Sequence, residues 1–379
     1  MRLRHRDGST VHLSYGTNVH PAETLDGVVA QLDTYAEPVR ALLGWDTLGL
    51  GWWLSAEVAA GLAADPPAVR RLRAELAARG LEVVTLNAFP YRGFHDDVVK
   101  HAVYRPSWTS PDRARYTLDC ATVLAGLLPD DAAGGSVSTL PLGWRTPWTP
   151  ADDEAATRAL ASVTDGLRRL PRPVRLAVEP EPGCVLDEVA DAVGWLAGRV
   201  DPAFVGICLD TCHLAVSFAD PVSTVDSVVA AGLAVHKVQA SAALQATDSS
   251  EELRQFVEPR YLHQVRAGLR RADDLPEALD RLVDEDGPWR VHFHVPLHWS
   301  PAAGALTPTS DVLAAAAGAL FRGPRSLSPH VEVETYTWGV LPPEHRPTDD
   351  AGLVAGIAAE LRHAHDLLVH CGLSKGETA

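Results

Sequence analysis

The sequence has no apolar run long enough to cross a lipid bilayer. Its longest strongly apolar stretch, at 312–321, is far shorter than the roughly 20 residues that a transmembrane helix needs. The basic opening segment MRLRHRDGST is not followed by an apolar segment, so we expect no secretory signal. We therefore expect a protein that does not insert into a membrane.

Cysteine is scarce and poorly placed for cross-linking. The five cysteines are an odd number, they are widely spaced, and none belongs to a Cys-x-x-Cys motif. A disulfide scaffold needs an even set, and a structural zinc ribbon needs closely spaced pairs. The cysteine pattern therefore disfavours both classes and indicates the reducing cytoplasm.

Positive charge is in deficit. The chain has 33 basic and 49 acidic side chains, a net charge of −16. Its arginines are spread along helical patterns next to acidic residues, whereas nucleic-acid binding usually needs a basic stripe. We therefore expect no nucleic-acid partner.

Several nucleotide-binding and hydrolase motifs are missing. No G-x-G-x-x-G turn follows the first strand-like run, and G-x-x-x-x-G-K-[ST] is absent, so we expect no nucleotide cofactor. The G-x-S-x-G motif of serine hydrolases is also absent.

The sequence does contain a regular alternation of short β-rich runs and long amphipathic segments. Alternating strands and helices predict βαβ units with a parallel sheet, and eight units close a (β/α)₈ barrel. An open doubly wound sheet is the alternative, which the missing glycine-rich turn disfavours. The strand-like runs are 11–17, 47–51, 81–86, 136–140, 174–178, 205–209, 234–239 and 331–334.

The spacing of these units is uneven in one place. The segment between the seventh and eighth runs is about twice as long as the others. It has helical patterns at 251–271 and 275–283 and a strand-like run at 289–299. We predict one barrel domain over residues 1–379, with an insertion at approximately 242–330 on the same side as the active site.

Acidic residues and histidines occur at the last four predicted strands. The fifth run leads into Glu179 and Glu181, the sixth into Asp210, the seventh contains His236, and the eighth ends at Glu334. Because functional residues of a barrel collect at the carboxyl ends of its strands, we expect these side chains to lie close together. Carboxylates with one imidazole suit Mn²⁺, Mg²⁺ or Zn²⁺.

Each of these residues also has a purely structural interpretation. Asp210 can cap the helix that follows it. His236 can be a core histidine bonded to a backbone carbonyl, and Glu334 can pair with an arginine. The functional interpretation gains weight because the set falls near the same end of successive strands.

The combination of Glu179, Asp210-x-x-His213, His236 and Glu334 resembles the xylose-isomerase-like TIM-barrel superfamily. That superfamily includes sugar isomerases, ketose 3-epimerases and AP endonucleases. The segments SYGTNVHP and LAVEPEP also resemble the metabolite-traffic subfamily of ebo-type export clusters.

The resemblance implies that Glu179, Asp210, His236 and Glu334 are the ligands of one divalent ion. Mn²⁺ is the expected ion, with Mg²⁺ and Zn²⁺ as alternatives. It also implies that Glu179 and Glu334 are the catalytic pair. One removes a proton next to a carbonyl, the other returns it on the opposite face, and the metal ion polarises the carbonyl.

The chain departs from the multi-metal members of the superfamily. Tryptophans and asparagine stand where AP endonucleases have additional histidines. A later group, His292 and His294, leaves a second metal ion open. The seventh strand also lacks the His-x-Asn-Asp pattern common in sugar enzymes, since Lys237 and Gln239 stand there, and this leaves the substrate open.

Further residues at strand ends are candidate contacts to a polyol substrate. Aromatic walls with a few amides and hydroxyls suit such a molecule, because its C–H face stacks while its hydroxyls form hydrogen bonds. Trp53 can equally pack under a helix. The predicted substrate-binding residues are Tyr15, Asn18, His20, Trp53, Asn87, Tyr91, Glu181, His213, Lys237 and His294.

We therefore predict a metal-dependent isomerase or epimerase of a sugar, sugar phosphate or cyclitol. The first alternative is a non-catalytic metabolite-binding protein that works with an export pathway, linked to a membrane exporter or prenyltransferase. The second is a metal-dependent phosphoesterase resembling AP endonucleases. Both monomeric and oligomeric forms are compatible with the sequence.

Overall fold

A computed structural model of the chain describes residues 1–247, 251–282, 287–300 and 306–376. Its strands are β1 (Arg2–Arg4), β2 (Thr10–Gly16), β3 (Leu48–Trp53), β4 (Leu81–Asn87), β5 (Gly135–Thr139), β6 (Val174–Val178), β7 (Val205–Asp210), β8 (Val235–Ala240), β9 (Leu244–Ala246), β10 (Val265–Ala267), β11 (Arg270–Ala272), β12 (Trp289–Val291), β13 (Leu306–Pro308), β14 (His330–Val333) and β15 (Ser374–Lys375).

The helices lie mainly between the strands of the large sheet. They are α1 (Leu25–Gln31), α2 (Glu37–Leu43), α3 (Ala56–Ala64), α4 (Pro66–Ala78), α5 (Pro111–Leu127), α6 (Pro150–Leu167), α7 (Val189–Leu196), α8 (Thr211–Val216), α9 (Pro221–Ala230), α10 (Leu275–Arg281), α11 (Ser310–Phe321) and α12 (Asp350–His370). Short 3₁₀ helices cover Thr17–Val19, Lys100–Tyr104, Glu251–Phe256 and Tyr336–Val340.

Eight parallel strands form a closed barrel. They run in the order β2, β3, β4, β5, β6, β7, β8 and β14, and β14 pairs in parallel with β2 to close the ring. The (β/α)₈ barrel predicted from the sequence is confirmed, with each strand found within about two residues of its predicted position. Outside the ring, β1 pairs antiparallel with β2, and β15 pairs antiparallel with β1.

The apolar runs form strands because both faces of the sheet are covered. Every residue of β3, β4, β7 and β8 is buried. A parallel sheet with helices outside and side chains filling its interior gives nearly continuous apolar strands. In the described residues, no helix combines the length and the apolar character needed to cross a membrane.

The apolar spacing at 22–43 predicts one helix between the first two barrel strands, but this segment is not one continuous helix. α1 and α2 are separated by a π-helical stretch at Leu32–Ala36. Pro38, near the start of α2, has no N–H to donate to the carbonyl four residues back, and its ring would collide with that carbonyl. The wider π turn just before Pro38 relieves this conflict without ending the helical path.

The long segment between β8 and β14 contains a small sheet of its own. Its five antiparallel strands lie in the order β11, β10, β12, β9 and β13. The helical pattern expected at 251–271 is therefore wrong after Phe256, because β10 and β11 form a hairpin there. Gly268 lies in the turn with φ +53°, a conformation that suits glycine.

Candidate active site

Three carboxylates meet at the carboxyl ends of the barrel strands. Glu179 follows β6, Asp210 is the last residue of β7, and Glu334 follows β14. One oxygen atom of each lies within 4.8 Å of one from each of the other two, and all three side chains are buried. Like charges this close and this dry repel one another strongly unless a proton or a cation intervenes.

Amide groups hold Glu334 from two other strands. Its Oε1 accepts hydrogen bonds from Asn18 Nδ2 at 2.8 Å and from Asn87 Nδ2 at 2.9 Å. Asn18 lies just after β2 and Asn87 ends β4. The second oxygen of Glu334 is thereby left to face other partners.

Asp210 is held from the helix side and from β8. Its Oδ1 accepts from the backbone N–H of His213 at 2.9 Å, so Asp210 caps α8 as its structural interpretation predicts. The same oxygen accepts from Ser241 Oγ at 2.8 Å. Capping occupies one oxygen only, which leaves Oδ2 free for a second role.

Three buried carboxylate and imidazole atoms at this site have no hydrogen-bond partner among the described residues. They are Glu179 Oε2, Asp210 Oδ2 and His294 Nε2. His294 donates from Nδ1 to the backbone oxygen of Glu334 at 2.7 Å, which leaves a lone pair on Nε2. That nitrogen lies 4.0 Å from Asp210 Oδ2. Glu179, Asp210 and Glu334 form one group of possible metal ligands, and His294 forms an overlapping group with Asp210 and His213.

Burial and mutual repulsion raise the pKa of two carboxyl groups at the site. Burial, followed by the Asp210 and Glu332 carboxylates, raises the pKa of Glu334 to about 8. Burial, followed by Glu334 and Asp210, raises the pKa of Glu179 well above its ordinary range. The positive charge of Lys237 opposes both shifts without cancelling them. A bound cation would remove the need for these groups to hold protons.

A second group of possible metal ligands lies beside the first. His213 donates from Nδ1 to the Pro180 oxygen at 2.8 Å, and His292 donates from Nδ1 to Gln264 Oε1 at 2.6 Å. These bonds fix the tautomers, so the two Nε2 lone pairs face each other at 3.0 Å. Two facing lone pairs need a proton or a metal ion between them. Glu181 offers an oxygen to the same group.

Glu179, Glu181 and Glu334 lie at one end of a cavity at the carboxyl ends of the strands. The lining divides into a polar part at the strand ends and a mainly apolar part built from the loops. The polar residues are Asn18, Asn87, Glu179, Glu181, His213, His292, His294 and Glu334. The others are Phe89, Pro90, Phe94, Val99, Lys100, Val103, Tyr104, Tyr261, Leu262 and Tyr336.

The structure does not bring His236 to the carboxylates. His236 is the second residue of β8, whereas Asp210 pairs in register with Gln239 farther along that strand. Its neighbours are Arg175 and the backbone of Pro202, which precedes β7, and burial lowers its pKa to about 3. The predicted ligand therefore lies too far back along the strand, and the imidazole that lies near Asp210 is that of His294.

Lys237 is not a substrate contact either. It is completely buried inside the barrel, with Nζ 3.1 Å from Glu332 Oε1 and 3.2 Å from Ser138 Oγ. Gly51 makes room for this pair, because a Cβ on Gly51 would lie 1.6 Å from Glu332 Oε2. The ion pair lies below the cavity and is closed off from it.

Tyr15 and His20, predicted from the first strand end, lie outside the cavity wall. The Tyr15 hydroxyl lies 3.3 Å from His20 Nε2, and the His20 ring stacks on Tyr35 at 3.9 Å between centroids. These contacts turn both side chains toward the helical layer that contains Tyr35.

Trp53 and Tyr91 also lie outside the cavity wall. Trp53 donates from Nε1 to the Pro90 oxygen at 2.9 Å, which holds the indole behind the loop that follows β4. Tyr91 packs edge-on against Tyr116 on α5 and lines a separate surface cleft. Of the predicted substrate contacts, those that line the cavity are Asn18, Asn87, Glu181, His213 and His294.

Sequence reasoning missed two further polar residues near the site. Gln239 is fully buried beside Asp210, and neither amide atom has a hydrogen-bond partner among the described residues. The period of two along a strand places it on the same face as Lys237, one layer nearer the cavity, and this rule could have found it. Tyr104, which donates to Glu181 Oε1 at 2.8 Å, lies in a 3₁₀ helix with no comparable signal.

Comparison with known proteins supports the barrel fold. The profile of the family described as "Xylose isomerase-like TIM barrel" matches residues 39–264, more than half of the chain. The chain belongs to this family. No curated protein matches the sequence.

Solved structures share the fold at low sequence identity. L-ribulose 3-epimerase has a TM-score of 0.52 at 13% identity, covering 97% of this chain and all of that chain. The IOLI protein with a bound zinc atom has a TM-score of 0.52 at 12% identity, covering 94% and 98%. A family member from Mycobacterium smegmatis in complex with magnesium has a TM-score of 0.51 at 13% identity, covering 95% and 97%.

Proposed function

We propose that the protein is a divalent-metal-dependent isomerase or epimerase that moves a proton next to the carbonyl group of a sugar or cyclitol. The observation that carries the proposal is the set of unpartnered buried atoms on Glu179, Asp210 and His294 beside Glu334. Unpaired buried polar groups are costly, and a site that retains them together is built to receive a ligand.

The ion would be held by Glu179, Asp210, His294 and Glu334. When bound, a divalent ion polarises a substrate carbonyl and stabilises the enediolate that forms when a neighbouring proton is removed. Three carboxylates and one imidazole support Mn²⁺, with Mg²⁺ and Zn²⁺ as alternatives. Structures of similar fold contain zinc or magnesium, which supports a divalent ion without selecting among the three.

Glu179 and Glu334 are the proposed proton-transfer pair. Asn18 and Asn87 fix one oxygen of Glu334, so its other oxygen has a defined position. Glu179 presents an unpartnered Oε2 to the same cavity. One carboxylate removes the substrate proton and the other returns it on the opposite face.

The second donor group supports a second candidate, a metal-dependent phosphoesterase. The facing Nε2 atoms of His213 and His292, with Glu181 beside them, can take a further cation. Elemental analysis of the purified protein separates the two candidates. One ion per chain supports the isomerase, and two or three ions support the phosphoesterase.

The decisive experiment measures exchange of a substrate C–H proton with deuterium from solvent. Glu179→Gln and Glu334→Gln keep the side-chain shape and an oxygen donor but remove the base. At a metal concentration that saturates each variant, we expect both to lose exchange, whereas Glu57→Gln on the exposed face of α3 keeps it.

Two results would contradict the proposal. The first is normal deuterium exchange in both site variants. The second is no exchange by the metal-loaded wild type across a panel of sugars and cyclitols, which would favour the non-catalytic metabolite-binding alternative. The link to an export pathway stays a prediction from the sequence resemblance.

A further inference from the structure

We propose that the substrate carries an uncharged apolar group on its polyhydroxylated carbonyl part and no phosphate. This inference rests on the proposed function, because the carbonyl part must bind at the metal ligands. It narrows the substrate class to apolar-substituted sugars or cyclitols and excludes sugar phosphates.

The cavity is divided between two kinds of surface. The carboxylates, amides and imidazoles of its lining lie together near the strand ends. The opposite side is formed by aromatic and aliphatic side chains from the loop after β4, the segment before β10 and the 3₁₀ helix after β14. A bare polyol would leave this second surface with nothing to cover it.

Three aromatic rings form the centre of the apolar surface. The Phe94 ring lies 5.2 Å from Tyr261 and 5.3 Å from Tyr336, and the two tyrosine rings are 5.0 Å apart. The C–H face of a single sugar ring needs only one such ring to stack on. Val99 and Val103 extend the surface beyond the aromatic rings.

The apolar surface is already assembled. The backbone N–H groups of Val99 and Lys100 both donate to the Arg260 oxygen, at 2.8 and 2.9 Å. This joins the loop after β4 to the segment before β10 across the cavity. A preformed apolar surface binds an apolar group without first having to order the loops.

A phosphate would find no free lysine or arginine side chain among the described lining residues. Among the described lining residues, Lys100 is the one lysine or arginine. Its Nζ already donates to Asp274 Oδ2 and to the Tyr261 oxygen, each at 2.6 Å. Phosphate sites normally provide free arginine, lysine or backbone N–H donors, whereas this cavity presents carboxylates.

The test uses hydroxamates, which chelate divalent ions through two oxygens and share one head group. Binding to the metal-loaded full chain is measured by calorimetry for acetohydroxamate, hexanohydroxamate and phosphoglycolohydroxamate. Each added methylene that becomes fully buried should tighten binding roughly threefold to fourfold. We expect hexanohydroxamate to bind at least about tenfold more tightly than acetohydroxamate, and the phosphate probe to bind most weakly.

Two isosteric variants localise the effect. Val99→Thr and Val103→Thr should each reduce the advantage of hexanohydroxamate severalfold and leave acetohydroxamate affinity unchanged. The matched control is Val98→Thr, because Val98 is 61% exposed and does not line the cavity.

The outcomes separate the two proposals. Equal affinity for the three probes, or tightest binding of the phosphate probe, overturns the apolar substrate and leaves the metal-dependent function standing. An unchanged tail preference in both cavity variants also overturns it. If no probe binds although the chain holds its metal, the ion is closed to ligands and both proposals fail.

Discussion

The barrel interior contains two buried charged layers that are built in opposite ways. In the inner layer, Lys237 and Glu332 form an ion pair with no exposed side-chain surface. In the outer layer, Glu179, Asp210 and Glu334 crowd together at the strand ends with no lysine or arginine paired to them among the described residues.

The two layers balance their charge differently. The inner pair is enclosed so tightly that Gly51 has no space for a Cβ, and its charge is balanced within the chain. Glu179 and Glu334 of the outer layer line a cavity, and their charge needs a proton or a bound cation. This agrees with the position of active sites at the carboxyl ends of barrel strands.

The largest expected effect concerns the inner layer. Lys237→Met leaves Glu332 buried without a partner, and such changes cost about 3–5 kcal/mol of unfolding free energy. Denaturant unfolding measures the loss. The double variant Lys237→Met/Glu332→Gln should recover most of it, because no buried charge remains. A single variant as stable as the wild type would show that the pair does not balance the inner layer.

The next effect concerns the metal ligands of the outer layer. Asp210→Asn keeps the helix cap but weakens a ligand, so metal affinity should fall by more than the roughly 10–100-fold typical of an outer-shell partner. Ser241→Ala removes the hydroxyl that donates to Asp210 Oδ1 and accepts from the Cys212 N–H, and its effect should stay within that range. Competition with a chelator measures both. Undiminished metal affinity in Asp210→Asn would remove it from the ligand set.

A carboxylate outside both layers sharpens the comparison. Glu360 on α12 is buried, it accepts hydrogen bonds from the Leu297 N–H, Thr335 Oγ1 and Trp338 Nε1, and burial raises its pKa to about 7. Its contribution to stability is therefore full below pH 4.5 and is lost as the pH rises through 7.

Glu360→Gln tests this pH dependence. The unfolding free energy of the variant relative to the wild type should rise by about 2 kcal/mol between pH 5 and pH 8, since the amide does not ionise. A difference that does not vary with pH would show that Glu360 is ionised throughout. The amide cannot match every hydrogen bond of the carboxyl group. This mismatch lowers the unfolding free energy of the variant equally at pH 5 and at pH 8, so the change between the two pH values remains.

A further expected effect reverses sign with metal. Because the pKa of Glu334 is raised to about 8, ionisation of this group destabilises the metal-free protein as the pH rises toward and through 8. In the presence of a chelator at pH 9, Glu334→Gln should therefore be more stable than the wild type, because the amide carries no charge. With saturating metal, the wild type should be the more stable protein. Thermal unfolding under the two conditions tests the crossover.

Much of the fold is readable from the sequence, because parallel strands buried on both faces leave continuous apolar runs. Of the small sheet between β8 and β14, only β12 lies within a predicted strand-like run, at 289–299; the other strands escaped prediction, since strands of three residues are too short to show a period. The break between α1 and α2 escaped as well, because the apolar spacing continues through the π turn and only Pro38 signals it.

The candidate site was likewise predicted only in part from the sequence. The rule that strand ends meet at one end of a barrel is enough to group Glu179, Asp210 and Glu334. It does not decide which residue of β8 reaches that level: Asp210 pairs with Gln239, three residues beyond His236. His294 follows β12, so its position depends on the small sheet and not on the barrel.

Closure of the barrel sets the order in which the metal site can form. Asn18 and Glu334 are bonded across 316 positions of the chain, and Glu334 reaches the site only when β14 has paired with both β2 and β8. During synthesis, Glu179 and Asp210 emerge long before their partners and remain an incomplete set. Retention of a metal ion would therefore indicate that the ring has closed, so the bound-metal content would also measure the fraction of chains that have completed folding.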